Sequence, residues 1–198
     1  MPKFEAALRQ VVEDLDIGVD DVAFDRMLRH EALLQAWNPR VNLTRITEPV
    51  EVARRHFGEA LFLAREMGLT SGTIADLGAG AGFPGLPIAA WQPAVQVTAV
   101  ESVTKKTTFL REVSRDWSNV SLFEGRIEAV EETFDWVVMR AVAIEPLLEE
   151  LARMAPRAAF LAGSRASEAL EKTDLWILKH RIELPWDAPG ALLIAERA

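Results

Sequence analysis

The run Thr73-Ile74-Ala75-Asp76-Leu77-Gly78-Ala79-Gly80-Ala81-Gly82-Phe83-Pro84-Gly85 passes from a short apolar stretch into an acid, then into alternating glycines and a proline. A strand that breaks into a glycine turn and then a helix is the opening unit of a parallel α/β sheet, whose ligands settle beyond the carboxyl ends of the strands. Asp76 stands at that end. Gly78, Gly80 and Gly82 permit a sharp turn and a close approach of ligand to backbone, because no Cβ obstructs it, and Pro84 suits the first position of a helix.

Downstream of this turn, short apolar runs alternate with helical ones, the pattern of parallel strands joined by crossover helices. Strands are expected over 73–77, 95–100, 120–123, 134–139, 158–162, 175–180 and 191–195, and helices over 84–91, 104–117, 145–154 and 164–172. The fold class is therefore α/β, a doubly wound sheet of about seven strands. Upstream, Leu8, Val11, Val12 and Leu15 recur at helical spacing, and Met27, Leu28, Leu33, Leu34 and Trp37 continue the stripe. Gly18 and Asn38-Pro39 read as breaks, and a third helix over 48–67 closes at Gly68, where glycine takes a left-handed cap. Two parts result: a helical N-terminal extension over 1–70, expected to act as a lid, and the sheet-bearing domain over 71–198.

The 198 residues suit one compact domain with an accessory element; 49% are hydrophobic and 26% charged, a globular balance. No run approaches the roughly 20 apolar residues of a bilayer span, and Met1-Pro2-Lys3-Phe4-Glu5 opens a charged pattern without a signal-peptide stretch. A cytoplasmic protein, without membrane attachment and monomeric, is expected. Cysteine is absent, which excludes thiolate metal sites, and His30, His56 and His180 lack metal-ligand or triad spacing. No metal is expected. His30 reads as a surface or packing residue and His180 as structural. The net charge of −8 argues against a nonspecific nucleic-acid coat while allowing a local basic patch.

A second acid, Glu101, ends the next strand, where a carboxylate can accept both hydroxyls of a ribose. A nucleoside-bearing cofactor is implied. Gly80-Ala81-Gly82-Phe83-Pro84-Gly85 also satisfies the dinucleotide pattern G-x-G-x-x-G. Two features favour S-adenosylmethionine: the Asp76 carboxylate would repel a pyrophosphate yet suits the ammonium of a methionine moiety, and prolines at 84 and 87 disturb the helix start on which a pyrophosphate relies. Gly125-Arg126-Ile127-Glu128 follows the third strand and can frame an adenine ring. Arg140 emerges from the apolar run Val137-Val138-Met139 at the fourth strand's end, either aimed at the cleft or paired with a nearby acid.

Longer motifs carry a resemblance. The runs Trp37-Asn38-Pro39-Arg40-Val41-Asn42-Leu43-Thr44, Arg55-His56-Phe57, Asp76 through Pro87, Glu101-Ser102 with Lys105-Lys106 and Phe109-Leu110, and Arg140-Ala141-Val142-Ala143 together resemble the small-subunit rRNA methyltransferase G family, also called glucose-inhibited division protein B. The resemblance implies a Rossmann-like class I methyltransferase sheet and a bacterial enzyme that methylates N7 of a guanine in 16S rRNA, with S-adenosylmethionine as cofactor and 16S rRNA or the small ribosomal subunit as partner. It implies Asp76, Gly78, Gly80 and Phe83 against the cofactor, Glu101, Ser102 and Val103 around its ribose, Ile127 and Glu128 beside its adenosine, and Arg140 near its methionine end. Three departures stand out: Gly58-Glu59-Ala60 where the family runs toward an Asp-Ser pair, no lysine in Leu161-Ala162-Gly163-Ser164, and Glu101 where Asp is commoner.

Guanine N7 has a free lone pair and no proton, so methylation there needs no general base. Catalysis by positioning is expected, with no dedicated catalytic residue and with Arg140 and His56 as candidate contributors. Arg40, Arg54, Arg55, Lys105 and Lys106 are the candidate rRNA-binding cations, each of which reads equally as part of a solvated helix face. Asn38 and Asn42 are read as helix caps ahead of base contacts, and Trp37 as buried. Two rival functions follow from the acidic charge and the departures: a methyltransferase of this fold acting on a small molecule or protein, and a noncatalytic cofactor-binding assembly protein.

Overall fold

A computed structural model describes residues 2–198. Eight α-helices and seven strands follow in the order α1 (Lys3–Asp14), α2 (Asp21–Val41), α3 (Pro49–Val52), α4 (Glu59–Glu66), β1 (Gly72–Leu77), α5 (Gly85–Trp91), β2 (Val95–Glu101), α6 (Thr104–Val113), β3 (Val120–Glu124), β4 (Trp136–Arg140), α7 (Leu148–Met154), β5 (Arg157–Ala162), α8 (Ser164–Glu171), β6 (Trp176–Glu183) and β7 (Ala191–Arg197). The strands form one sheet in the order β3-β2-β1-β4-β5-β7-β6. β1 to β5 pair in parallel, and β7 runs antiparallel between β5 and β6. The chain winds outward from β1 through β2 to β3, then returns to lay β4 on the other side of β1. That reversal opens a crevice above β1 and β4, the place where open α/β sheets take ligands.

Strand periodicity divides the core between two faces. Ile74, Val97, Ala99, Val138, Ala159 and Leu161 belong to one buried cluster, while Ala75, Leu77, Val100, Val137, Met139 and Phe160 belong to the other. The first face receives α5, α6 and the whole N-terminal helical segment. Phe4, Leu8, Val11, Met27, Leu34 and Phe57 lie in the same continuous cluster as Ile74. Phe57 is fully buried, with its ring 5.1 Å from that of Phe4; burying such a side chain contributes roughly 1.5–3 kcal/mol.

Two features of the helical segment depart from the sequence reading. Asn38-Pro39 does not end α2, which runs on to Val41, because a proline near a helix end costs little hydrogen bonding there. Asn42, left-handed at φ 55°, supplies the C-cap. Asn38 instead brackets the following loop, its side chain donating to the Thr44 carbonyl at 3.0 Å and accepting from the Thr44 N–H at 2.9 Å. The helix expected over 48–67 is interrupted by a π-helical turn over Ala53–Gly58, which flows directly into α4. Gly68 caps it with φ 60°, as the glycine predicted. Farther on, the helix expected over 104–117 stops at Val113, and the one over 145–154 begins as a 3-10 turn at Glu145–Leu147 before α7.

Candidate functional site at the sheet reversal

The glycine turn is built tightly against β1. Gly78 and Ala79 both donate to the Val100 carbonyl, at 2.9 and 3.0 Å. Gly78 has φ +74°, and a Cβ there would stand 3.0 Å from Val142 Cγ2. Gly85 donates its N–H to Asp76 Oδ2 at 2.8 Å, and a Cβ at Gly85 would fall 2.6 Å from that same oxygen. Asp76 is thus buried under the turn, 1% exposed, and its Oδ1 has no partner. Burial pushes its carboxyl up to about 7. Sequence reading aimed Asp76 at a ligand; in the structure its observed contact is with the turn itself.

Glu101, at the end of β2, holds the turn from the other side. Its Oε2 accepts from the Gly80 N–H at 3.0 Å and its Oε1 from the Val103 N–H at 2.9 Å, with Lys106 Nζ 3.9 Å away. A carboxylate oxygen has two acceptor sites, so each oxygen keeps one free. Glu101 lines a cavity of about 260 Å³ together with Gly78, Ser102, Arg126, Ile127 and Glu128. Seven residues named from sequence therefore share that cavity: Gly78, Glu101, Ser102 and the run Gly125–Glu128. Val103 is 46% exposed and reaches Glu101 through its backbone.

Gly78 also belongs to a neighbouring cavity of about 350 Å³, walled by Gly80, Phe83, His56, Arg140, Ala141 and the loop Leu43–Ile46. The wall is cross-tied. Arg140 Nη1 donates to His56 Nδ1 at 2.6 Å, and Arg140 Nη2 meets Glu59 Oε2 at 3.1 Å. Because a guanidinium only donates, His56 Nδ1 is bare and its proton is on Nε2, which donates to Thr44 Oγ1 at 2.8 Å. Burial, reinforced by Arg140, lowers the His56 pKa to about 3, so the ring is neutral at pH 7. With both nitrogens engaged, His56 offers no general base.

Phe83 sits between two imidazoles. Its ring stacks on His56 and on His30, each at 4.7 Å between centroids. His30 is fully buried, donates from Nε2 to the Ala81 carbonyl at 2.7 Å, and leaves Nδ1 unpartnered. It reaches the turn from α2, where it falls on the buried stripe of Ala23, Met27 and Leu34. Packing is the right one of the two roles read for it, whereas His180 is exposed on β6.

The predicted cations separate. Arg40 and Lys105 are exposed and free of ion pairs among the described residues, and Arg54 is half-buried. Arg55 turns inward to Glu59 at 2.6 Å, and Lys106 lies beside Glu101. Trp37 is half-buried against Phe109 rather than enclosed. Among the described residues no group of three His, Cys, Asp or Glu is placed to hold a metal ion, and no helix is long and apolar enough to cross a membrane.

Residues 24–185 match the family model described as rRNA small subunit methyltransferase G. The chain belongs to that family. Among named members, a ribosomal RNA small subunit methyltransferase G from Xylella fastidiosa is 41% identical over 145 residues, covering 70% of this chain and 68% of the relative. One from Roseiflexus castenholzii is 39% identical over 144 residues, 69% of this chain and 62% of the relative. The fold is shared with more distant methyltransferases. The ribosomal protein L11 methylase of Lactobacillus delbrueckii superposes with TM-score 0.59 at 18% identity, covering 72% of this chain and 78% of that one. Fibrillarin of Aeropyrum pernix, solved with S-adenosyl-L-methionine, gives 0.55 at 18%, covering 69% and 76%.

In this rRNA methyltransferase G chain, the departure after Arg55-His56 is smaller than the sequence alone indicated. Glu59 is the buried acid that neutralises both Arg55 and Arg140, 2% exposed. Its (i, i+4) spacing from Arg55 was the available signal. Gly58 beside it leaves room for Trp186, whose ring a Cβ would meet at 2.6 Å.

Proposed function

We propose that this member of the rRNA small subunit methyltransferase G family transfers a methyl group from S-adenosylmethionine to N7 of a guanine in 16S rRNA, acting as a cytoplasmic monomer on the rRNA or the small subunit. The observation that carries the cofactor reading is the Glu101 carboxylate, with one free acceptor site on each oxygen at the edge of the smaller cavity, ready for two vicinal hydroxyls. A dinucleotide is disfavoured by hydrogen-bond accounting at α5. The N–H groups of Gly82 and Phe83 go to Ala79, that of Gly85 to Asp76 and that of Leu86 to Gly82, while Pro84 and Pro87 have none. A pyrophosphate would find none of these N–H groups free.

In this reading Glu101, Ser102 and Val103 take the ribose, Ile127 and Glu128 the adenosine, and Gly78, Gly80 and Phe83 the turn side of the cofactor. Asp76 and Arg140 set the charge around the methionine end, where a bound ammonium would draw Asp76 back to its ionised form. S-adenosylmethionine, when bound, supplies an electrophilic methyl group. The chain's own task is to hold a guanine in line with it, and such positioning lowers a barrier by roughly 7–11 kcal/mol. The rigid wall of His56, Thr44 and Arg140 suits that task, and the neutral, fully engaged His56 agrees with a reaction that needs no base. Residues 71–198 hold the cofactor in this reading, while 1–70 cover the turn, and cations from both parts meet the rRNA.

Calorimetric titration with S-adenosylmethionine and, separately, NAD, followed by methyl transfer to unmodified small subunits, tests the reading. Cofactor binding with N7-methylguanine formed is expected. Binding without transfer would favour an assembly protein or another substrate, and NAD binding alone would overturn the cofactor assignment.

A further inference from the structure

The chain carries a net charge of −8, and about half of its exposed cations are matched by a carboxylate within 4 Å, as at Arg9, Arg29, Arg111, Arg115 and Arg153. Three arginines at the carboxyl edge of the sheet depart from this pattern: Arg126, in the cavity assigned to the adenosine, and two on the far side of the Gly78 turn, Arg45 and Arg165. Arg45 lies on the loop that walls the 350 Å³ cavity, and Arg165 lies in the first turn of α8, where it lines a further cavity of about 410 Å³ with Ala141–Glu145 and Ala162–Ala166. Both are exposed, and neither makes an ion pair or side-chain hydrogen bond among the described residues. Glu145, which shares the second cavity, is exposed and pairs with no cation.

The two cavities share Ala141, a non-glycine residue at φ 57° directly after Arg140. They therefore adjoin across the end of β4, with one unpaired guanidinium on each side. Neither arginine is left to chance by its backbone. Thr44, next to Arg45, is held by both Asn38 hydrogen bonds and by His56, and α8 fixes Arg165 through buried Ala166 and Leu170. In an acidic protein, unneutralised cations set on fixed backbone around an opening form a local attractive site for a polyanion.

We propose that Arg45 and Arg165 grip backbone phosphates of the rRNA on either side of the two cavities that meet at Ala141, so that the RNA between them is presented to the Gly78 turn. This rests on the rRNA reading above and adds two contacts absent from the cations picked out by sequence. The grip positions RNA without reading its bases.

The test measures binding of a 16S rRNA fragment by fluorescence anisotropy across a salt series, for the wild type, Arg45→Ala with Arg165→Ala, and Arg45→Lys with Arg165→Lys. Each lost phosphate contact removes about 0.7–0.9 from the slope of log affinity against log salt, so the alanine pair is expected to lower the slope by about 1.4–1.8. The lysine pair should restore it, since a point charge suffices for a phosphate. Calorimetric affinity for S-adenosylmethionine should not change in either variant. An unchanged slope in the alanine pair, with the wild type binding and methylating normally, overturns the grip and leaves the enzyme reading intact. Loss of cofactor affinity in the alanine pair also overturns it, by placing the arginines in the cofactor site. A wild type that neither binds nor methylates rRNA removes both inferences together.

Discussion

Arg140 Nη1 reaches His56 Nδ1 across 2.6 Å and joins the end of β4 to a π-helical turn 84 residues earlier in the chain. The same guanidinium binds Glu59 on α4, so one side chain fastens the helical segment to the sheet at the crevice. Because Arg140 is 15% exposed and Glu59 2%, this is an interior ion pair, and its value depends on keeping both partners.

Glu59→Gln should destabilise the protein by roughly 3 kcal/mol, since it leaves Arg140 and Arg55 without their carboxylate in a buried place. Replacing both members, Glu59→Met with Arg140→Met, should cost less than the single change. Urea denaturation of Glu59→Met, Arg140→Met and the double variant completes the cycle. Additive losses would show that the pair is not coupled.

Acid should weaken the fold before it weakens a typical surface ion pair. His30 is lowered to about 4, by burial, and His56 to about 3, by burial and Arg140. The unfolded chain protonates these rings first, so the stability they contribute is complete above about pH 6.5 and is lost as pH falls toward their folded values. Asp76 acts in the opposite sense, because burial raises it to about 7 and the folded state keeps its proton from about pH 4 upward. Two histidines against one carboxyl leave one net proton between pH 4 and 6.5, and stability should rise with pH there by about 1.4 kcal/mol per unit. Thermal melts across that range check this. Asp76→Asn should steepen the dependence by removing the opposing group, and a flat profile would mean that the rings are charged in the folded protein.

Gly78→Val should abolish S-adenosylmethionine binding. A valine at φ +74° is strained, and its side chain would crowd Val142 and enter the space shared by the two cavities. Calorimetry with the folded variant decides the matter; retained affinity would place the cofactor elsewhere.

Lys105 and Lys106 should separate. Lys105→Glu is expected to weaken rRNA binding and leave cofactor affinity alone, whereas Lys106→Glu puts an acid beside Glu101, 3.9 Å from the present ammonium, and should weaken both. Equal effects of the two changes on cofactor affinity would contradict this placement.

The sheet was readable because its signals are local: apolar runs of strand length, glycines where the turn needs positive φ, and an acid closing each of β1 and β2. Glu101 and the run Gly125–Glu128 were placed at the carboxyl edge by chain order, and Ser102 joined them through the family resemblance. Other features depend on distant residues. Nothing local to Ala53–Gly58 distinguishes a π-helical turn, such as the one that carries His56, from an α-helix. The burial of Asp76 depends on Gly85 closing over it, and Glu59 becomes a site residue only when β4 arrives beside it. Arg45 and Arg165 were passed over because an unpaired cation is recognisable only once every nearby carboxylate has been located.

The N-terminal helices share one continuous core with the sheet: Phe4, Leu8, Met27 and Phe57 lie in the same buried cluster as Ile74 and Val97. During synthesis they leave the ribosome before any strand exists, with their apolar stripes exposed. Their docking must wait for β1, α5 and β2, which makes the early chain a natural client for a chaperone and makes a cut near residue 70 a source of two sticky fragments instead of two working modules.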